Sequence, residues 1–391
     1  LKINQFLSSL TNLEKTRNFN VFKEYSLNDF QFLLESFNLL NVNEKKIRIS
    51  LVGTNGKGST AYFLSQLFLR LKNFSPVGLY TSPHLIVQNE RIQLNGIMIS
   101  DEWMDDKLNS FSKEELGKLK TLSYFEFFTF LAILYFKDNN CKTEIYEAGL
   151  GGRLDATKLV NPDIVVLTKI GLDHTEILGD TEEKILMEKL QIVGTNTKQV
   201  FTFLQEENIN RAIEIFCKDK NIELIVYRHP DEKDYLSFNK EFALFIVNYI
   251  LGEHLQEELK RDILDIIHNL PGRMQVLRKE PILIFDIGHN PSAIKFILQS
   301  LKTLYPFEKH WNIYVGSLKD KDIKNILEIL VNDPIVQKVF QVVGANWNTE
   351  SISHSKILRI TEEELVPSRI ETASLVLGSF RLYKQVTKNE F

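Results

Sequence analysis

Cysteine is nearly missing. Cys141 and Cys217 are the only two in 391 residues, too few for a disulfide framework or a cysteine-built zinc site and suited to a reducing compartment. No charge of one sign dominates: 47 basic side chains face 51 acidic ones, for a net charge of −4. Composition therefore points to neither nucleic acid nor a membrane surface, and any anion must be bound locally. Long hydrophobic runs are lacking too. The longest, 127–136, is roughly half of what a bilayer crossing needs, and the opening LKINQF has neither the apolar core nor the cleavage site of a signal peptide. A cytoplasmic protein is expected, and since the chain opens at Leu1 rather than Met, a few preceding native residues are expected as well. Sequence repeats and low-complexity stretches are absent, which removes solenoids, propellers and linker-rich arrays.

What is present is the composition of a folded protein, 43% hydrophobic and 25% charged, at a length that suggests two domains. Short β-branched runs at 47–52, 77–80, 143–148, 164–168, 282–286, 313–315 and 339–343 are each followed by a polar or glycine-rich cluster. Most are separated by enough chain for a helix. Stretches 59–72 and 180–192 read as helices, the second opening with Asp180 and Glu183 at capping-box spacing. This alternation predicts an α/β fold with mainly parallel sheets. Pro271-Gly272 is the strongest break, so the boundary is set there: an N-terminal domain, 1–271, and a smaller doubly wound α/β domain, 272–391.

Ligands of open parallel sheets bind beyond the carboxyl ends of the strands. GTNGKGS at 53–59 lies between a predicted strand and a predicted helix, the setting of a phosphate loop. Its glycines let backbone N–H groups approach phosphate oxygens, Lys57 adds a point charge, and Ser59 offers a hydroxyl to a metal. The spacing differs from the common G-x-x-x-x-G-K-[ST], and a tight turn is the plain alternative. Glu147, in the apolar run IYEAGL, needs a cation if buried. With His174 after the next strand and hydroxyls from Ser59 and Ser82, it makes a plausible Mg2+ set; a salt bridge to Arg153 and a structural histidine are the alternatives. ILIFDIGHNPS gathers Asp286, His289 and Asn290 before a helix start, where an Asx turn or a helix cap would also explain either Asp286 or Asn290 alone. Glu126 interrupts an aromatic core helix, and the Lys-rich KEELGKLK reads as a solvated face.

LVGTNGKGST, TSPHL with NERIQLNG, YFEFFT, YEAGLGGRLDAT, TKIGLDHTEILG, PGRMQV and FDIGHNP, in this order, resemble the folylpolyglutamate synthase and dihydrofolate synthase family of the Mur ligases. YSLNDF and GSFRLY extend the likeness towards both ends. The resemblance implies a phosphate-loop ATPase domain followed by a C-terminal α/β domain, and a monomeric ligase that uses ATP and two Mg2+ to join L-glutamate to dihydropteroate or folate, with no nucleic-acid or membrane partner. By position it implies that Gly53, Thr54, Asn55, Gly56, Lys57, Gly58 and Ser59 cradle the phosphates. Ser59 and Glu147 would hold one Mg2+, and Ser82 and His174 a second. Asn239, in FNKEFAL, would contact adenine; Arg273 and Asp286 would reach ATP; His289 would meet glutamate; Glu126 and Asp155 would face the pterin. Lys189 matches a lysine that the family carbamylates into a metal ligand, and Lys57, His174, Lys189 and His289 are the expected catalytic groups. Leu190-Gln191 replaces a small pair after that lysine, Lys158 replaces an asparagine and puts a cation near the presumed pterin pocket, and the C-terminal part is short. Two rivals are a Mur ligase acting on a UDP-sugar peptide, against which stands the lack of a recognisable UDP-binding domain, and a phosphate-loop NTPase switch.

Overall fold

The computed structural model describes residues 1–12, 25–40, 46–228, 234–252, 270–319 and 321–387. They form two compact units. Unit 1 is Leu1–Ile170, Thr175–His229 and Phe242–His254; unit 2 is Gly171–His174, Pro230–Glu241 and Leu255–Phe391.

Unit 1 is built on β1 (Ile47–Val52), β2 (Val77–Tyr80), β3 (Ile92–Leu94), β4 (Ile97–Met98), β5 (Thr143–Glu147), β6 (Ile164–Leu167), β7 (Gln199–Phe203) and β8 (Glu223–Tyr227). They form one eight-stranded sheet in the order β4-β3-β2-β5-β1-β6-β7-β8. Every pairing from β2 to β8 is parallel, and β3 and β4 add an antiparallel edge. β5 and β6 are buried along their whole length, as expected when helices cover both faces of a parallel sheet. The helix Tyr124–Asp138 supplies much of one core, with Phe127, Phe128, Phe130 and Phe136 fully buried beside Phe6 and Phe30. A second core gathers Val165, Leu186, Val200 and Ile213.

Unit 2 contains β9 (Gln275–Lys279), β10 (Ile282–Asp286), β11 (Trp311–Val315), β12 (Val336–Val343), β13 (Ile357–Thr361) and β14 (Ser374–Leu377), ordered β13-β12-β11-β14-β10-β9. Only β9 is antiparallel. The helices Pro291–Leu304 and Ile323–Asn332 bury Ile294, Ile297, Leu298 and Leu301, and Ile323, Ile326, Leu327 and Leu330, the one-sided stripe of a helix lying on a sheet.

The architecture is the α/β arrangement that the strand and helix alternation predicts. Element ends differ in places. The helix expected over 59–72 runs Lys57–Leu69, starting inside the glycine loop. The one expected over 180–192 is Glu182–Leu190, and its N-cap is Thr181, whose side chain accepts from Lys184 N–H. Asp180 instead pairs with Lys184 at 2.7 Å, so the capping-box reading of Asp180 and Glu183 is corrected.

Candidate active site

Unit 1 assembles its polar groups at the carboxyl ends of β1 and β5. The chain leaves β1 at Gly53 and enters the helix at Lys57, with Gly56 as N-cap at φ +91°, a left-handed backbone that glycine tolerates best. Thr54 N–H donates to Lys169 O at 2.7 Å, tying the loop to the chain beyond β6. Lys57 Nζ donates to Gly53 O at 3.0 Å, folding the amine back over the loop. Beside it, β5 ends at Glu147, which is buried and accepts Ser82 N–H at 3.1 Å. A Cβ on Gly58 would lie 3.2 Å from Glu147 Oε2, so that glycine lets the carboxylate stand against the first helical turn. Ser59 Oγ is buried with no hydrogen-bond partner among the described residues.

An orphaned hydroxyl and a carboxylate at a helix start are hard oxygen donors of the kind Mg2+ selects. Among the described residues no three His, Cys, Asp or Glu side chains gather into a cage. An ion here would therefore complete its shell with phosphate and water oxygens, which also suits Mg2+. The salt-bridge alternative for Glu147 does not arise from Arg153, which pairs with Glu188 at 3.2 Å.

Three other predicted residues of unit 1 are buried close to their own loops. Glu126 Oε1 accepts from the Tyr25 hydroxyl at 2.5 Å and Oε2 from Ser123 N–H at 2.8 Å, closing a capping box with Ser123. Burial and the Glu126 charge push the Tyr25 hydroxyl pKa up. Asp155 accepts from Leu150 N–H at 2.8 Å and from the N–H and hydroxyl of Thr157 at 2.9 and 2.6 Å; burial raises its pKa against the pull of those bonds. Lys189 is buried on the helix Glu182–Leu190, and Gly152 sits where a Cβ would fall 2.3 Å from the Lys189 carbonyl oxygen. Lys158 has its amine pKa lowered by burial and by Arg153, with Glu188 opposing.

Unit 2 gathers a second cluster. Lys321 Nζ, on a side chain 5% exposed, lies 2.6 Å from Asp173 Oδ1 and 3.2 Å from His174 Nε2. His289 Nε2 is 3.7 Å from Asp173 Oδ2, and Asn290 Nδ2 donates to the same oxygen at 3.3 Å. His174 takes a left-handed φ of 49°, which costs a non-glycine residue energy and occurs often at functional sites. Asn290 is also the N-cap of Pro291–Leu304, accepting from Ala293 N–H at 2.9 Å, so the cap reading and the site reading both hold for it. Asp286, at the end of β10, accepts Met274 N–H at 2.8 Å, Gly288 N–H at 2.7 Å and the Tyr235 hydroxyl. Burial raises its pKa, and the Arg273 charge opposes that. Asn239 is buried one helical turn beyond Tyr235. Ser82 thus belongs to unit 1, and His174, with which it was expected to share an ion, to unit 2.

Lys321 and Tyr235 escape the motif reading, and Asp173 lies inside TKIGLDHTEILG but is given no role there. Lys321 sits in a run, KDKD, that resembles a solvated charge cluster; its one usable signal is position, shortly after a strand.

Similarity to known proteins follows the same map. Residues 51–277 match the Mur ligase middle domain, and residues 272–374 the Mur ligase, glutamate ligase domain. A dihydrofolate synthase/folylpolyglutamate synthase of Buchnera aphidicola subsp. Acyrthosiphon pisum is 32% identical over 91% of this chain and 92% of its own. The solved structure of E. coli FolC in complex with DHPP and ADP, 24% identical, covers 99% of this chain and 97% of its own at a TM-score of 0.79, and shares the fold. A bifunctional folylpolyglutamate synthase/dihydrofolate synthase with Mn, AMPPNP and L-glutamate bound is 27% identical over 93% of each chain, at a TM-score of 0.75.

Proposed function

We infer the activity from one premise: this chain belongs to the dihydrofolate synthase/folylpolyglutamate synthase family of Mur ligases. It is an ATP-dependent acid–amino-acid ligase that adds L-glutamate to dihydropteroate or folate. The observation that carries this reading is the Glu147 carboxylate standing against Gly58 at the mouth of the phosphate loop, with the Ser59 hydroxyl left unsatisfied beside it.

A carboxylate is a poor electrophile. Its oxygen therefore takes the γ-phosphoryl group of ATP, giving ADP and an acyl phosphate. The glutamate amine attacks the acyl carbon and gives up a proton, and the tetrahedral adduct expels phosphate to leave an amide. Such phosphoryl transfer is catalysed mostly by positioning and charge. In this reading Gly53, Thr54, Asn55, Gly56, Lys57, Gly58 and Ser59 hold the phosphates, and Asn239, Arg273 and Asp286 serve the rest of the nucleotide. Ser59 and Glu147 would hold one Mg2+, and Ser82, His174 and a carbamylated Lys189 would serve a second; the ions would supply positive charge to phosphate oxygens. Glu126 and Asp155 serve the pterin side; a carboxylate has about four lone-pair sites, so each keeps acceptor capacity. His289 meets glutamate, and we add Lys321, whose buried amine beside His174 supplies the cation that a dicarboxylate amino acid needs. Residues 1–271 are assigned to ATP binding and 272–391 to the C-terminal-type domain. Two free thiols, Cys141 and Cys217, support a cytoplasmic setting.

The test is substrate dependence. ADP release is expected to require a pteroate or folate and glutamate together, and the product mass to rise by a glutamyl residue. Rapid ATP hydrolysis indifferent to both substrates would support the switch reading instead.

A further inference from the structure

Asn348 lies 27 residues beyond Lys321, in a stretch, GANWNTE, with no motif. It is buried, and its hydrogen bonds converge on the chain that carries Lys321. Its backbone N–H donates to Ser317 O at 2.7 Å, and its side-chain Nδ2 donates to Lys321 O at 3.0 Å. One residue therefore holds the chain just beyond β11 at two points. Its own position is fixed from behind: Glu350 N–H donates to Asn348 Oδ1 at 3.0 Å, and Gln341 Nε2 donates to Asn348 O at 3.4 Å and to Glu350 O at 2.6 Å. The preceding residue, Trp347, packs its ring where a Cβ on Gly316 would meet it at 3.1 Å, and its Nε1 donates to Glu362 at 3.1 Å.

We propose that Asn348 is a positioning residue for Lys321, holding the lysine carbonyl so that the ammonium stays where glutamate is received. The inference rests on the assignment of Lys321 to the glutamate side. A lysine stem has four flexible carbons and loses much rotamer freedom when held. Fixing its backbone restricts where the amine can travel, so the cation is set before substrate arrives. Lys321 O also accepts Ile323 N–H at 2.9 Å, and Lys321 N–H donates to Leu318 O at 3.1 Å, but both bonds lie within the same short stretch; Asn348 ties that stretch to a distant part of the chain.

Asn348→Asp keeps the shape and the Oδ1 acceptor but turns the Nδ2 donor into an oxygen facing Lys321 O. Asn348→Ser removes the amide without adding charge, and serves if the aspartate variant does not fold. Both keep the backbone bond to Ser317. In the full chain either is expected to raise KM for glutamate about tenfold, the size of one well-placed hydrogen bond, with KM for ATP and kcat at saturating glutamate within about twofold of the parent. A general loss of structure would instead lower kcat and disturb KM for ATP as well as for glutamate. In a Lys321→Ala background, Asn348→Asp is expected to add less than about twofold, since the two act as one unit. Unchanged glutamate KM in a folded Asn348 variant, alongside a raised KM in Lys321→Ala, would overturn the positioning role alone. Unchanged glutamate KM in Lys321→Ala would overturn the assignment on which it rests.

Discussion

Replacing Glu147 by glutamine removes one charge at nearly constant volume and keeps an oxygen to accept Ser82 N–H. Turnover is expected to fall at least a hundredfold while the melting temperature stays within a few degrees, checked by ADP release and thermal unfolding; near-normal turnover at limiting Mg2+ would remove Glu147 as a ligand. Asp173 gives a pH signature. Burial alone would raise its pKa, but the imidazole of His289 and the ammonium of Lys321 hold it well below the ordinary 3.8. The folded state then binds fewer protons than the unfolded one. The stabilisation is present above about pH 4, and it fades as pH falls through the folded value. Asp173→Asn should accordingly lower the urea midpoint more at pH 7 than at pH 3; an equal loss at both would contradict this. Glu147 and the loop at 53–59 are legible in sequence because strand, glycines, charge and hydroxyl are neighbours in the chain. The Asp173–Lys321 pair spans 148 positions, and no local pattern marks either partner as buried.

Strands could be read where apolar residues cluster before a polar turn, as in β1, β2 and β10. β13 could not, since ILRIT exposes side chains at both parities and so has no hydrophobic alternation to detect. The β3-β4 hairpin leaves a clear trace at the end of NERIQLNG. Asn95-Gly96 sits between the strands with φ of 51° and 79°, the positive pair that a two-residue hairpin needs, and Asn95 Oδ1 also accepts Val77 N–H at 2.8 Å. Capping boxes were legible in principle: Ser123 and Glu126 have the spacing, and the structure forms it. Ser123→Ala is expected to cost about 1 kcal/mol, read as a lowered urea midpoint. Because Glu126 answers Ser123 across the same turn, KM for the pterin substrate is expected to rise more than KM for ATP. Equal KM shifts would leave the cap purely structural.

At the scale of the molecule, unit 2 is assembled from three stretches of chain. Tyr235 illustrates the consequence: its N–H donates to Ser300 Oγ at 3.1 Å and its hydroxyl to Asp286. A fragment beginning at residue 272 lacks both bonds, whereas one beginning at 230 keeps them. The longer fragment is expected to unfold at higher urea, and coincident midpoints would show that Tyr235 adds nothing to this unit. A linear reading could place the break at Pro271-Gly272, because proline and glycine are local signals. It could not see an earlier segment contributing to a later unit, which is a property of the folded contacts.

β14 is the last of the fourteen strands among the described residues, yet it lies inside its sheet, between β10 and β11. During synthesis β9 and β10 can pair, and β11 to β13 can pair, but the two groups stay separate until residues 374–377 leave the ribosome. For about 1–3 seconds, the time to add the residues between the end of β13 and the end of β14 at ~5–20 residues per second, two half-sheets each display a bare inner edge, the kind of surface that recruits strands from other chains. A ribosome that stalls before that point, or a protease that trims the tail, leaves this gap unfilled. Translation through β14 thus works as a completeness check on this sheet: a chain that contains residues 374–377 can conceal the two inner edges, and one stopped earlier leaves them bare.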